Sequence, residues 1–190
     1  MNLKKLIYKL TDKEKYKKLK TSLLLQEKIK ILKSGFENEI IKISDKLNQG
    51  EISFLHSGHL GDVINALPVI KEISKKSRCK LYLQVGKNLE NDALDYKHFG
   101  DKIYMSDRMV EMVIPLLEKQ SYISSVKKFN DQKIDIDLDL FRKMPMNFNL
   151  DEVRWYFQLT GVHVDLSNPY LFANEHDLLK KKIVIMRSTR

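Results

Sequence analysis

Residues 51–85 constrain the fold more than any other part of the chain. EISFLH (51–56) is short, rich in β-formers and apolar at alternate and adjacent positions, as in a buried strand. A polar loop with two glycines, Gly58 and Gly61, follows it. Val63, Ile64, Leu67, Ile70 and Ile73 then fall on one face of a helix over 61–76. CKLYLQV (79–85) reads as a second strand. A strand, a helix and a strand joined at this length form a right-handed parallel crossover. The pattern predicts an α/β, Rossmann-like three-layer domain with a mostly parallel sheet.

The remainder extends that plan. Residues 86–106 are mixed, with a short helix expected around Asn88–Tyr96. Ser106 or Asp107 caps a helix over 106–120, with Met109, Met112, Val113, Leu116 and Leu117 as its buried stripe and Pro115 as a kink. Its methionines suit core filling better than metal binding. YISSVKKF (122–129) reads as a strand. KIDIDLDLF (133–141) alternates strictly, with Ile134, Ile136, Leu138 and Leu140 on one side and Asp135, Asp137 and Asp139 on the other. A helix over 150–160 is closed by Gly161, and NPYLF (168–172) reads as an extended exit. Ile183–Met186 reads as a further strand, with Arg187 and Arg190 in the polar loop after it. A strand with no element after it is expected to open another domain. The organisation expected is an arm at 1–49, an α/β domain at 50–175, and a linker with the first strand of a truncated second domain at 176–190.

Charge separates the arm from the body. The net charge is +9. Residues 1–50 hold 13 lysines and six acids, or +7; the other 21 basic and 19 acidic residues give +2. A nearly neutral body argues against a nucleic-acid-binding face, so no nucleic acid is expected as partner. Apolar residues recur at helical spacing through 3–48, with lysines on the other faces. The first expectation is helices that pack on the domain; the second is a basic surface lying on anionic lipid. No apolar run reaches the roughly 20 residues of a membrane span, and MNLKKLIYKL has neither a continuous apolar stretch nor a small-residue cleavage site. With Cys79 the single cysteine, a cytoplasmic setting is expected, with possible attachment to the inner face of the membrane.

The chemistry concentrates at 57–62. After a parallel strand the chain turns at the carboxyl end of the sheet, where open α/β sheets bind ligands. Gly58 and Gly61 are expected to let the backbone bend and a ligand come close, and free N–H groups opening the next helix favour an anion. Asp62 has two readings. As a first-turn acid it stabilises its helix by roughly 0.5–2 kcal/mol; as a carboxylate at the crevice it can take a proton from a hydroxyl. SGHLGDVIN lacks the Gly-Lys-Ser/Thr of a P-loop and the third glycine of the dinucleotide fingerprint. His56 and His59 have no third ligand of known placement, so no metal is expected, and a cleft or packing role suits His59 better. The three aspartates at 135, 137 and 139 suit a solvated face or ion pairs, with the last reaching towards the crevice. Arg142 is placed either to meet an anionic acceptor or in solvent. Trp155, Tyr156 and Phe157 are expected to put at least two rings into the core.

LHSGHLGDVINALPVIKEI resembles the opening of the heptosyltransferase-like glycosyltransferases, glycosyltransferase family 9. Gly61, Asp62, Val63, Ile64, Leu67 and Pro68 match the Gly-Asp-hydrophobic-hydrophobic and Leu-Pro pattern in order and spacing. DIDLDLFRKMP, RWYFQLTGV, LSNPYLF and KKIVIMRSTR are similar to later segments, so the resemblance spans about 51–190. It implies a GT-B fold of two Rossmann-like domains, this chain being the acceptor half. The substrates implied are a nucleotide-sugar donor and a glycan or lipid-linked acceptor, with no further cofactor and a role in cell-envelope glycan synthesis. Asp62 is implied as catalytic base. Gly58, His59, Gly61 and Arg142 fall to the acceptor, and Arg187 and Arg190 to the donor. The alternatives are a non-catalytic α/β binding module and a basic-arm nucleic-acid-binding protein.

Overall fold

The structure, a computed structural model, describes residues 8–33, 36–87, 103–144 and 150–173. Two helices, α1 (Lys13–Lys33) and α2 (Phe36–Lys46), precede the sheet. There follow β1 (Glu51–His56), α3 (Leu60–Ile73), β2 (Arg78–Leu83), α4 (Asp107–Leu117), β3 (Ser125–Lys128) and β4 (Ile136–Asp137). A 3₁₀ helix (Leu138–Lys143) and α5 (Glu152–Thr160) complete the described elements. The strand order is β3-β2-β1-β4 and every pairing is parallel. The domain is therefore α/β with a parallel sheet flanked by helices.

Register explains the core. Val126, Leu81, Phe54 and Ile136 lie side by side across the four strands, and all are buried. The neighbouring row on the other face, Lys127, Tyr82, Leu55 and Asp137, is less buried. In β2 the alternation is direct: Cys79, Leu81 and Leu83 are buried, Lys80 and Tyr82 only half-buried. Cys79 Sγ sits 3.7 Å from the Ile70 carbonyl, so this row faces α3, and burial pushes its thiol up to about 12. Full burial of a side chain such as Phe54 or Leu81 contributes about 1.5–3 kcal/mol.

Helix α3 buries more than one stripe. Besides Val63, Leu67, Ile70 and Ile73 it buries Ala66, Pro68 and Val69, because it packs on the sheet and on α5 together. Pro68 has no N–H for the Ile64 carbonyl, a loss this doubly packed helix absorbs. Asn65 Nδ2 donates to Glu152 Oε2 at 2.6 Å and ties α3 to the start of α5. Asp151 caps α5 and Gly161, at φ 70°, ends it. Trp155, Tyr156 and Phe157 are all buried.

Two expectations are corrected. The strand over 133–141 shortens to β4, and Leu138–Lys143 winds into a 3₁₀ helix because the Asp137 carboxylate accepts from Asp139 N–H and caps it. Asp139 is consequently buried, and of the two expectations for it the ion pair holds, with Arg142. In α4 the inward stripe is Val110, Val113 and Leu117, while Met112 is 65% exposed; Ser106 is its cap. The second arm helix packs on the domain, as the first expectation for the arm has it: Ile43 is buried in the core and Lys46 Nζ donates to the Asp135 carbonyl at 2.9 Å. The helix expected around Asn88–Tyr96, the strand Ile183–Met186, and Arg187 and Arg190 lie outside the described residues. No described helix is long and apolar enough to cross a membrane.

Candidate functional site

Strand β1 has β2 on one side and β4 on the other, so the topology reverses at β1. The carboxyl ends of β1 and β4 lie at this switch point, the position at which open α/β sheets receive ligands. Five segments deliver side chains there: the end of β1 (His56, Ser57), the first turn of α3 (Asp62), the turn after β2 (Lys87), the 3₁₀ helix (Asp139, Arg142) and α5 (Tyr156).

The innermost layer is a neutral hydrogen-bond chain. Tyr156 Oη donates to the Asp62 carbonyl at 3.0 Å and lies 2.9 Å from His56 Nε2; His56 Nδ1 accepts from Gly58 N–H at 3.0 Å. One proton assignment satisfies all three bonds: His56 carries its proton on Nε2 and donates to Tyr156. Burial pushes the His56 ring below the ordinary histidine value, against the pull of the Asp139 and Asp62 carboxylates. Its 3.8 Å contact with Asp139 Oδ1 is therefore not an ion pair, since Nδ1 has no proton to give. Burial, with the Asp62 and Asp139 carboxylates, raises the Tyr156 hydroxyl well above its usual range, so it stays a donor. The chain ties the strand end, the loop and the Asp62 backbone to α5.

Asp139 is the charged hub. Its Oδ2 accepts from Ser57 N–H and Ser57 Oγ, both at 2.5 Å, and its Oδ1 accepts from Arg142 Nε at 3.3 Å. Lys87 Nζ donates to Ser57 Oγ at 2.8 Å and lies 4.0 Å from Asp139. Burial alone would raise the Asp139 carboxyl; the Ser57 donors, Arg142 and Lys87 outweigh it and hold it below the ordinary carboxylate range. Asp137 shows the opposite balance: burial, then the Asp139 charge, raises it.

Asp62 stands further out. Its Oδ2 accepts from His59 N–H at 3.1 Å and from Arg142 Nη2 at 2.5 Å. The cap reading of this acid is thus met by His59 N–H, and its other oxygen makes no hydrogen bond among the described residues. Arg142 is 16% exposed in its side chain and stacks over Tyr104 at 4.6 Å and Phe141 at 4.7 Å, which fixes the guanidinium plane. His59 packs edge-on against Tyr104.

The two glycines differ. Neither adopts a left-handed φ. A Cβ on Gly58 would fall 2.7 Å from Arg142 Nη2, 2.8 Å from His56 Cε1, and against Asp62 Oδ2, so Gly58 makes room for the ion pair itself. A Cβ on Gly61 would meet nothing within 4 Å.

The structure brings Asp62, Gly58, His59, Gly61 and Arg142 together at the carboxyl end of β1. Sequence reading missed Ser57 and Lys87: a serine in a loop and a lysine after a glycine carry no pattern. Tyr156 was read as one of three rings for the core, with no hydrogen-bonding role, and His56 as a weak metal ligand. Among the described residues no group of three His, Cys, Asp or Glu is arranged to hold a metal ion. No protein-family model, no curated protein and no solved structure matches the chain.

Proposed function

We propose that this chain is the acceptor-binding half of a glycosyltransferase of the heptosyltransferase type, which moves a sugar from a nucleotide-sugar to a glycan or lipid-linked acceptor. The observation that carries the reading is Asp62. It stands at the switch point of the sheet with Oδ2 anchored by His59 N–H and Arg142, and with Oδ1 unbonded among the described residues. The Gly-Asp and Leu-Pro resemblance supports it independently. In this reading the acceptor hydroxyl gives its proton to Asp62 Oδ1 as its oxygen bonds the anomeric carbon. The bond from that carbon to the nucleoside diphosphate breaks, and the diphosphate leaves with the electron pair. Arg142 aims the carboxylate, and the His56–Tyr156 chain fixes its backbone. Gly58, His59 and Gly61 form the loop beside the acceptor; Arg187 and Arg190 meet the donor diphosphate.

A second reading is a non-catalytic binding module. The Asp62–Arg142 pair favours it, because a carboxylate matched to a guanidinium is a fixed recognition element as readily as a base. The two separate on one measurement: acceptor-dependent release of nucleoside diphosphate by the chain together with a donor-binding half. Transfer that falls roughly 10²–10⁴-fold in Asp62→Asn supports the base. Wild-type turnover in that variant removes the base role, and acceptor binding without any turnover favours the module.

A further inference from the structure

Strand β4 meets β1 through two residue pairs, Ile136 with Phe54 and Asp137 with Leu55. A carboxylate clamp closes each end of that short pairing, and the two clamps are built from the same parts. At the amino end, Asp135 Oδ2 accepts from Ser53 N–H at 2.9 Å and from Ser53 Oγ at 2.6 Å, and Lys46 Nζ donates to Oδ1 at 3.3 Å. At the carboxyl end, Asp139 Oδ2 accepts from Ser57 N–H and Ser57 Oγ, both at 2.5 Å, with Lys87 Nζ 4.0 Å away.

Only the second clamp leads onward. The Asp135 clamp ends on Lys46, and its carboxylate is 17% exposed. Asp139 is 2% exposed; its Oδ1 accepts from Arg142 Nε, and Nη2 of the same guanidinium meets Asp62 Oδ2. A planar group held at two of its nitrogens and stacked on Tyr104 and Phe141 is fixed against turning in its plane and against tilting out of it. Holding a strand pair does not require a clamp to be dry or to bind an arginine from the next helix. A buried carboxylate demands a paired cation, so the burial of Asp139 dictates where Arg142 lies. We propose that Asp139 is a positioning residue: clamped to β1 through Ser57, it sets the plane of Arg142 and through it leaves Oδ1 as the oxygen that Asp62 offers. The inference rests on the proposed role of Asp62 for its functional meaning, and its geometry is tested in the chain alone.

The test compares Asp139→Asn with Asp135→Asn by nitrogen-edited NMR of the full chain. Asn offers an oxygen to one side only, so Ser57 or Arg142 loses its charged acceptor, and both variants are expected to lose stability. In Asp139→Asn the Nε proton of Arg142 is expected to exchange with water at least about tenfold faster, as befits a lost hydrogen bond between charged groups. The His59 amide, which donates to Asp62, is expected to shift with it. Asp135→Asn is expected to leave both signals unchanged. Ser57→Ala, which takes one donor from Asp139, is expected to act as Asp139→Asn does but less, and it decides the matter if Asp139→Asn does not fold. Wild-type exchange at Arg142 in the folded Asp139 variant, or an equal change in Asp135→Asn, overturns the proposal. With a donor-binding half, turnover in Asp139→Asn is expected to fall about 10–100-fold at unchanged acceptor KM. Turnover kept in Asp139→Asn but lost in Asp62→Asn overturns the positioning role. Turnover kept in Asp62→Asn overturns the base reading instead, and the NMR comparison still decides whether Asp139 sets the Arg142–Asp62 pair.

Discussion

Arg142 Nη2 lies 2.5 Å from Asp62 Oδ2, and the same guanidinium reaches Asp139 Oδ1 through Nε at 3.3 Å. One side chain from the 3₁₀ helix thus neutralises an outer and an inner carboxylate. The pairing revises a simple helix-cap view of Asp62, in which Asn substitutes at no cost. In the folded protein Asp62→Asn keeps the cap and loses a largely buried charge contact. A stability loss of about 1–3 kcal/mol is expected. Arg142→Lys is expected to lose as much, because an ammonium cannot span both carboxylates or stack on Tyr104 and Phe141. Chemical denaturation of the two variants measures both; unchanged midpoints would mean that the pair contributes nothing to the fold.

Gly58 and Gly61 make a paired prediction with opposite outcomes. Alanine at 58 pushes a methyl group into Asp62, Arg142 and His56, and a loss of about 1–3 kcal/mol is expected from overpacking. Alanine at 61 enters open space inside the first turn of α3. There it removes chain entropy from the unfolded state, and a gain of about 0.4–1 kcal/mol is expected. Thermal melting of the two variants side by side checks the contrast; destabilisation by both would deny the structural difference between them.

The strand–helix–strand core was legible because period and burial agree there. Ile52 and Phe54 in β1, Leu81 and Leu83 in β2, and Val63, Leu67, Ile70 and Ile73 in α3 all occupy the positions their spacing requires. The 133–141 segment was less legible for a physical reason. Its alternation is perfect for a strand, yet the Asp137 cap and the packing of Leu138 and Phe141 under α5 select a 3₁₀ helix. That local choice turns Asp139 inward and makes it the hub of the site. Lys87 joins the site only because β2 lies beside β1, a long-range fact with no trace in local pattern. Of the site, then, the Asp62 loop was readable and its supporting charges were not.

His56 supplies a pH dependence. Burial holds its folded-state value below the ordinary histidine value of 6.5. Above that value both folded and unfolded chains have the ring neutral, and His56 costs nothing. As pH falls below 6.5, the unfolded chain takes up a proton that the folded chain refuses, so stability falls with falling pH, by at most about 1.4 kcal/mol per unit for one proton. The contribution is therefore full above 6.5 and lost on acidification. His56→Gln retains a polar side chain without the titration and is expected to flatten the melting profile between pH 7 and 5. A profile that falls equally in both proteins would place the loss elsewhere.

The last prediction concerns the segment that crosses the back of the domain. Gln120, fully buried beyond the end of α4, pairs with both backbone groups of Phe172: its Oε1 accepts from Phe172 N–H at 2.9 Å and its Nε2 donates to the Phe172 carbonyl at 2.8 Å. Nε2 also donates to the Leu116 carbonyl at 2.6 Å. Two neighbours reinforce the strap: Tyr122 Oη donates to the Tyr170 carbonyl, and Lys71 Nζ donates to the Pro169 carbonyl at 2.6 Å while lying over the Phe172 ring. A side-chain amide that imitates a strand partner is hard to replace. Gln120→Leu fills similar space but takes this partner from three backbone groups, the Phe172 N–H and carbonyl and the Leu116 carbonyl, each costing about 1–3 kcal/mol if it stays buried and unpaired. The segment can escape that cost by lifting off into water. The expected result is thus a modest stability loss with a large rise in proteolysis within 168–173, and Gln120→Glu is expected to behave in the same way because it loses the two Nε2 donations. Tyr122→Phe, which removes one outer bond, is expected to raise cleavage less. Cleavage at the wild-type rate in Gln120→Leu would show that Tyr122 and Lys71 hold the segment without the buried amide.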